Sequence, residues 1–418
     1  MLESIRRLWE REFVQNVLHT LSSKGVLIAI GLISNVIITR GLGPDGKGIY
    51  GLVITIITVG LQFGHLGLHS SNTYFVAKDR SIWGRLFANS IIIALTSGLI
   101  VSGVMIAINE LAPQVFQLDS SFQFNLIILI GTPLALMSLL FKNLLIGVQH
   151  IKQNNYFEML SRSLYVIVIV TLYLTGVLDV VTVLIAFMFE HLMVILLEGR
   201  YMIRKADKPI RPNLTLFRNN LRYGLRAYAA IFLAFLVIRS DVLLLNYYLE
   251  DKKVGYYFTA VQLIDQFKML GAVVAGVLMP RLASADSIKE KFRLNLKVLR
   301  TMTLVLSVAG LIVILAAKPI ILLLFGKAFL PSVASLRILV VAMIFLSLET
   351  VLGQFLAAIG MPMRLVYFWL LCFLVNLVLN IMWIPIYGEI GAAYASVISY
   401  LSIFILVFIY SWNKVKAS

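Results

Sequence analysis

The chain has 418 residues, with 36 Lys and Arg against 20 Asp and Glu, and is 60% hydrophobic but only 13% charged. A soluble domain is about 45–50% apolar and about 25% charged. This composition cannot cover a water-facing surface; it excludes a soluble enzyme, a disordered chain and, despite a net charge of +16, a nucleic-acid binder. One cysteine, Cys372, leaves no intramolecular disulfide framework and no Cys-rich metal site, and the five histidines lack metal-ligand spacing, so neither metal nor cofactor is expected.

A membrane helix needs about 20 mostly apolar residues. Twelve such spans are predicted, at about 14–38, 49–76, 86–108, 122–146, 157–176, 180–203, 221–248, 254–282, 297–317, 333–358, 364–386 and 390–412. The spans at 86–108 and 297–317 are almost free of charge, whereas 49–76 is interrupted by Gly60, Gly64, His65, Gly67 and His69. Residues 1–13, charged and amphipathic, read as a cytoplasmic surface helix, and no cleavable signal peptide is evident.

The loops test the count. With the N-terminus in the cytoplasm, the inside segments hold 24 Lys and Arg, and the outside segments hold six: Arg40, Lys47, Lys252, Lys253, Lys318 and Lys327. Lys and Arg are retained on the cytoplasmic side, so the bias predicts an all-α polytopic membrane protein with both termini cytoplasmic, in the cytoplasmic membrane. It also accounts for most of the +16 without a ligand. The six remaining basic residues, Lys24, Arg162, Arg226, Arg239, Lys268 and Arg337, fall inside spans.

The polar stretch 204–220 divides the chain into lobes at 1–210 and 211–418, six spans each. Gly48-Ile49-Tyr50 opens span 2 and Gly255-Tyr256-Tyr257 opens span 8, an offset of 207; Gly147 and Gly360, and Gly176 and Gly388, lie 213 and 212 apart. Near-constant offsets predict a duplicated six-helix unit with parallel, pseudo-symmetric halves, a common transporter plan.

Several runs now resemble a family. Thr39-Arg40-Gly41-Leu42-Gly43-Pro44-Asp45-Gly46-Lys47-Gly48-Ile49-Tyr50, then Asp241 with Leu243-Leu244-Leu245, Val254-Gly255-Tyr256-Tyr257, Met279-Pro280-Arg281-Leu282 and Phe325-Gly326-Lys327-Ala328-Phe329 are similar, in order and spacing, to the polysaccharide transporter family of the multidrug/oligosaccharidyl-lipid/polysaccharide (MOP) superfamily. His65 stands where many members carry an acidic or amide residue. The resemblance implies a flippase of V-shaped halves. Such a flippase carries lipid-linked oligosaccharide repeat units on a polyprenyl-pyrophosphate to the outer leaflet by alternating access, for surface polysaccharide.

Polar groups inside spans are expensive, so each requires a reading. Asn16, Thr20, Lys24, Gly31, Asn35 and Thr39 recur at helical spacing on span 1, and Thr259, Gln262, Asp265 and Met269 on span 8. Lys268 follows Asp265 by three residues on the same face, which fits either an internal pair or a headgroup site. Arg239 and Asp241 lie about 200° apart on span 7, and Asp241 lies about 60° from Arg226. A pyrophosphate needs charge-assisted partners at low dielectric. Lys24, Arg40, Arg226, Arg239 and Lys268 are therefore the candidate substrate-binding residues of a cationic central cavity, with Tyr50, Tyr74, Tyr228, Tyr256 and Tyr257 available to sugars. Asp241, Asp265, Glu190 and Glu349 are candidates for coupling to a proton or sodium ion, and His65 with His69 could form a proton pair.

A proton- or sodium-coupled MATE-type multidrug exporter is the alternative, weakened by Lys24 and the absence of acid on span 1. A membrane-bound glycosyltransferase or polymerase would need a long catalytic loop, and 204–220 is short and basic, so no enzyme is expected. The expected partners are lipid-linked oligosaccharide, membrane lipid and a coupling cation, with no nucleic acid and a monomeric protein.

Overall fold

In the computed structural model the backbone is described over residues 2–205, 209–360 and 362–417, and side chains throughout these except at 2–24, 26–28, 226, 227, 230, 266, 267, 280, 283 and 284. The described residues form twelve α-helices and no strand: α1 (Leu2–His65), α2 (Leu68–Lys78), α3 (Trp83–Leu111), α4 (Phe122–Gly147), α5 (Ile151–Leu174), α6 (Val180–Lys205), α7 (Leu214–Tyr248), α8 (Asp251–Ser284), α9 (Ile288–Leu324), α10 (Ser332–Ala358), α11 (Arg364–Tyr387) and α12 (Glu389–Lys416). Single 3-10 turns stand at Arg80–Ile82 and Lys327–Phe329. Eleven helical segments among the described residues are long and apolar enough to cross a membrane.

The surface is inverted relative to a soluble protein. Leu304, Val308, Leu311, Ile312 and Leu315 of α9 point outward, as do Leu95, Leu99 and Ile100 of α3, while Asn376, Asn380, Ser396 and Ser399 are fully buried. Apolar stripes of that extent need a lipid solvent, and buried Asn and Ser join helices where lipid offers no hydrogen bonds. The chain is therefore a multi-pass membrane protein.

The helices match the predicted spans closely from α3 onward. The polar ends are longer because a membrane window registers only the apolar part: α7 begins at Leu214 rather than 221, and α9 at Ile288 rather than 297. The correction lies before α3. Residues 39–48 were expected to form an outside loop, yet the helical chain is interrupted there only at Gly43 (φ 65°, ψ −178°), followed by Pro44. Glycine alone adopts this conformation without strain, and proline restarts a helix because its missing N–H is not needed in a first turn. The chain folds back at this point. Lys47 Nζ lies 2.8 Å from Asn35 Oδ1, whereas twelve residues of straight helix would separate them by about 18 Å. Lys47 is thus no loop lysine; it is fully buried, and its ammonium also lies 5.0 Å from the centre of the Tyr50 ring.

The chain divides into two compact units. In the first (Ile30–Phe235 with Asn246–Gly255), α4 packs against α2, α3 and α6, and α5 against α6. A core of Trp83, Phe87, Phe141, Leu144 and Met202 lies among α3, α4 and α6. Within this unit the α7–α8 tip is tied down. The Asn246 amide donates to the Phe116 carbonyl and Gln117 Nε2 to the Tyr247 carbonyl, the latter at 2.8 Å. Beside these bonds, Gly48 of α1 and Gly255 of α8 meet at a backbone crossing. A Cβ on Gly48 would lie 1.9 Å from the Asp251 carbonyl oxygen, and one on Gly255 2.0 Å from that of Pro44. The contact is reciprocal, because the same 207-residue offset relates Pro44 to Asp251 and Gly48 to Gly255.

In the second unit (Met1–Ala29, Leu236–Leu245 and Tyr256–Ser418), α10 packs against α9 and α12, and α11 against α12. Asn295 on α9 donates to the Val351 carbonyl of α10 at 2.8 Å. Leu339, Val340, Leu352 and Phe355 fill the buried face of α10.

Candidate functional site

Each unit holds a charged cluster at mid-helix depth. In the second unit, Asp265 of α8 faces two cations. Arg239 Nη2 of α7 lies 3.6 Å from Oδ2, and Lys268 Nζ, one turn along α8, lies 3.8 Å from Oδ1. All three side chains keep partial access, 23%, 24% and 38% for Arg239, Asp265 and Lys268. Two cations on one carboxylate leave a formal excess of one positive charge. At 3.6–3.8 Å these are ion pairs rather than short hydrogen bonds, so both cations retain donors for another partner.

Asp241 is separate from that group in character. It is 2% exposed; it accepts the Val242 N–H at 2.8 Å and the Tyr257 hydroxyl. Two donors hold the buried carboxylate in place between α7 and α8. Next to it, Ser240 Oγ lies 3.3 Å from Asn376 Oδ1, which also accepts from Asn380 Nδ2 at 3.0 Å.

The first unit holds the second cluster, built by α1, α5 and α6. Arg162 Nη1 donates to Glu190 Oε1 at 3.1 Å, and Glu190 is 9% exposed. Tyr50 of α1 and Tyr165 of α5, both buried, stand near that ion pair. Gly31 on α1 faces the Arg162 guanidinium, whose Nη2 would stand 3.9 Å from a Cβ there. Reading spans one at a time had missed Arg162 as the partner of Glu190: the two lie 28 residues apart on different helices. The only sequence signal was an arginine at the centre of an apolar span.

A third polar group sits where α1 gives way to α2. The Gly67 N–H donates to His65 Nδ1 at 3.0 Å, so Nε2 carries the imidazole proton and donates to Gln62 Oε1 at 2.9 Å. His69 Nδ1 lies 3.2 Å from His65 Nδ1 and acts as the second donor to it. Tyr228 of α7 donates to the Gln62 backbone carbonyl at 2.5 Å and to its side chain at 3.0 Å. The two histidines do face each other, as their spacing predicts, but every polar atom of His65 is spoken for. No group of three metal-ligating side chains occurs among the described residues.

The other predicted residues are dispersed. Arg40 is exposed on α1, just before the fold-back. Glu349 is 6% exposed on α10, one turn before Gly353. The side chains of Lys24 and Arg226 lie outside the described residues, as do those of Asn16, Thr20 and Gln266. Of the five basic candidates, Arg239 and Lys268 are brought together; of the four acids, Asp265 joins them.

Outside the spans, two groups shape the surface of the first unit. The Asp79 carboxyl is held below its usual range because the Ser81 hydroxyl and N–H donate to it, the N–H at 2.9 Å. The His150 imidazole is pushed down by burial and then by Arg80 and Lys205; it lies against Trp83 and 3.2 Å from the Tyr201 hydroxyl.

Comparison with known proteins places this architecture. The model of a family described as polysaccharide biosynthesis protein matches residues 13–286. A Haloferax volcanii protein named "Probable flippase AglR" is 31% identical over 172 residues, covering 38% of this chain. The match spans about a third (34%) of that curated relative's length. Among solved structures, an inward-facing multidrug resistance MATE family transporter of the MOP superfamily superposes with a TM-score of 0.75 at 14% identity, over 93% of this chain and 94% of that one. A MOP superfamily transporter from Pyrococcus furiosus, whose binding pocket is described as of reverse polarity, gives 0.70 at 16% identity over 97% and 95%. The lipid II flippase MurJ in an inward closed conformation gives 0.69 at 14% identity over 96% and 90%. At these identities the superpositions establish the fold.

Proposed function

The chain belongs to the polysaccharide biosynthesis protein family and has the MOP transporter fold, and from that premise we propose that it is a flippase. Its cargo is an oligosaccharide repeat unit linked to a polyprenyl-(pyro)phosphate, moved by alternating access across the cytoplasmic membrane for surface polysaccharide. Both termini are cytoplasmic in this reading, the halves at 1–210 and 211–418 move as lobes, and no chemical bond is made or broken.

The observation that carries the reading is the Arg239–Asp265–Lys268 group. A phosphate-bearing cargo must exchange its hydration for charge-assisted donors, and a surplus cation at mid-helix depth supplies them without a compensating ion. A cationic drug would be repelled there. The exporter alternative needs an intramembrane carboxylate left open to a cation, but Glu190 and Asp265 are each engaged by protein cations, and Asp241 and Glu349 are buried.

The test is transport of a fluorescent lipid-linked oligosaccharide in proteoliposomes, read by an impermeant quencher. Wild type should equilibrate the probe between leaflets, and an Arg239→Gln/Lys268→Gln variant of normal size-exclusion profile should lose most of that rate. Unimpaired transport by the double variant would overturn the assignment, and drug resistance conferred on a pump-deficient host would favour the exporter.

A further inference from the structure

Of the five tyrosines that the sequence offers to sugars, four are buried: Tyr50, Tyr228, Tyr256 and Tyr257 are at most 8% exposed, whereas Tyr74 on α2 is 44% exposed. The Tyr74 ring stacks on that of Tyr223 of α7, with centroids 4.5 Å apart and planes 10° from parallel, and Tyr223 is 40% exposed. Phe75 meets both rings edge-on, Tyr74 at 5.3 Å and Tyr223 at 5.8 Å.

The pair is set by the backbones that carry it. A Cβ on Gly67 of the α2 cap would lie 2.3 Å from the Gly224 carbonyl oxygen of α7, so the two chains touch there. In the same seam Asn220 Nδ2 donates to Asn72 Oδ1 at 2.6 Å, and Thr73, beside Tyr74, donates to the Asn143 carbonyl of α4 at 2.9 Å. The rings are therefore held in place before any ligand arrives.

The face around them is not built for lipid. α2 falls in the predicted span 49–76, yet it turns Leu68 and Val76 inward and leaves His69, Ser70, Thr73 and Tyr74 accessible. α3 of the same unit does the reverse, with Leu95, Leu99 and Ile100 outward. A helix that hides its aliphatic side chains at membrane depth lines a wet surface. Ser70 precedes Tyr74, and Asn219 precedes Tyr223, by one turn, so each helix sets a neutral polar group on the face of its ring. Neither of these side chains, nor either tyrosine hydroxyl, hydrogen-bonds to a described residue.

We propose that Tyr74 and Tyr223 form a sugar-binding platform, with Ser70, Asn219 and the two hydroxyls at its rim. A pyranose has a face of C–H groups and a rim of hydroxyls. The C–H face stacks on the electron-rich face of an aromatic ring, and the rim hydroxyls need neutral donors and acceptors. Lys78, exposed one turn past Tyr74, is a further donor to them. The ligand class is a neutral hexopyranose, and its identification with the glycan of the cargo rests on the flippase reading.

The experiment is saturation-transfer NMR with the methyl glycosides of glucose, galactose and N-acetylglucosamine, added to the purified full chain in nanodiscs. One platform without a charged partner gives an affinity on the order of millimolar, which this method reads. At least one glycoside should receive magnetisation on the C–H protons of one ring face. Tyr74→Leu and Tyr223→Leu keep apolar bulk without an aromatic face; each should weaken that binding by about fivefold or more, and Tyr74→Phe should retain most of it. Binding of farnesyl pyrophosphate in the same nanodiscs tests the flippase reading separately, and the two Leu variants should leave it unchanged. If the pyrophosphate binds but no glycoside does, or the Leu variants leave glycoside binding intact, the platform is overturned and the flippase reading stands. If the Leu variants weaken both ligands equally, the rings serve as an interfacial anchor and the platform is again overturned. If neither ligand binds monodisperse protein, both readings fall.

Discussion

The crossing of α1 and α8 allows a prediction worked from geometry alone. Replacing Gly48 by Ala puts a methyl 1.9 Å from the Asp251 oxygen, 2.6 Å from its carbonyl carbon and 3.1 Å from its Cα. A carbon and a carbonyl oxygen rest about 3.3–3.6 Å apart, so the helices must separate by about 1.4 Å. No rotamer can relieve the clash, since both sides are backbone. Overpacking costs about 1–3 kcal/mol, and a site bounded by two backbones should fall at the upper end. Gly255→Ala meets the Pro44 oxygen at 2.0 Å and should cost about the same. The contact is reciprocal, so one separation accommodates both methyls. The double variant should therefore lose about as much stability as the worse single, with a coupling energy of about 1–3 kcal/mol. Thermal unfolding of purified protein in detergent reads this out: each single should lower Tm by roughly 5 °C, and the double by no more than a degree or two beyond that. A neutral Gly48→Ala would show that the helices do not meet here. Strictly additive singles would show that the two glycines serve different contacts.

Other substitutions probe other contacts. Asn35→Ala removes the acceptor 2.8 Å from the buried Lys47 ammonium; it should cost about 1–3 kcal/mol in the same unfolding assay, more than Asn35→Asp, which keeps an acceptor and adds a counter-charge. Tyr257→Phe takes a hydroxyl donor from the buried Asp241 carboxylate and leaves the Val242 N–H; the loss should be about 1–3 kcal/mol, and Asp241→Asn in the same chain should recover part of it. His150 has its imidazole pushed down by burial, so the unfolded chain binds the extra proton first. Stability should thus fall as pH drops below about 6.5, and His150→Gln should make that acid limb of the Tm–pH curve shallower.

What the amino-acid sequence made legible follows from which interactions are local. Helices α3 to α12 were readable because an apolar run about 20 residues long has one solution in lipid. The fold-back at Gly43 was harder: its glycine and proline were visible, but Thr39, Arg40 and Lys47 around them look like loop composition, and only tertiary packing buries Lys47 against Asn35. Gly48 and Gly255 were legible as a repeat and not as a contact, because an offset of 207 carries no information about which backbones touch. Asp265 and Lys268 were legible as a pair because three residues on a helix set their distance. Glu190 was visible as an expensive carboxylate, yet its meaning depended on Arg162, which no local spacing links to it.

Arg239 shows why that missing tertiary information changes the chemistry. Asp265 and Lys268 read alone form a neutral pair, for which an internal structural role is as good an account as any. Arg239 arrives from α7, 26 residues earlier, and converts the pair into a group with a surplus positive charge. The same addition fixes Arg239's direction on α7. Its neighbour two residues on, Asp241, is turned by about 200° on the helix and is buried under Tyr257 instead. The helical angle had already ruled out both residues facing one point. It could not say which faced the cation cluster, because that is decided by what α8 offers on each side: Asp265 to the arginine, the Tyr257 hydroxyl to the aspartate. Exchanging Arg239 for Gln should therefore leave Asp241 and Tyr257 undisturbed while returning the cluster to neutrality. Its effect should appear in anion binding far more than in Tm.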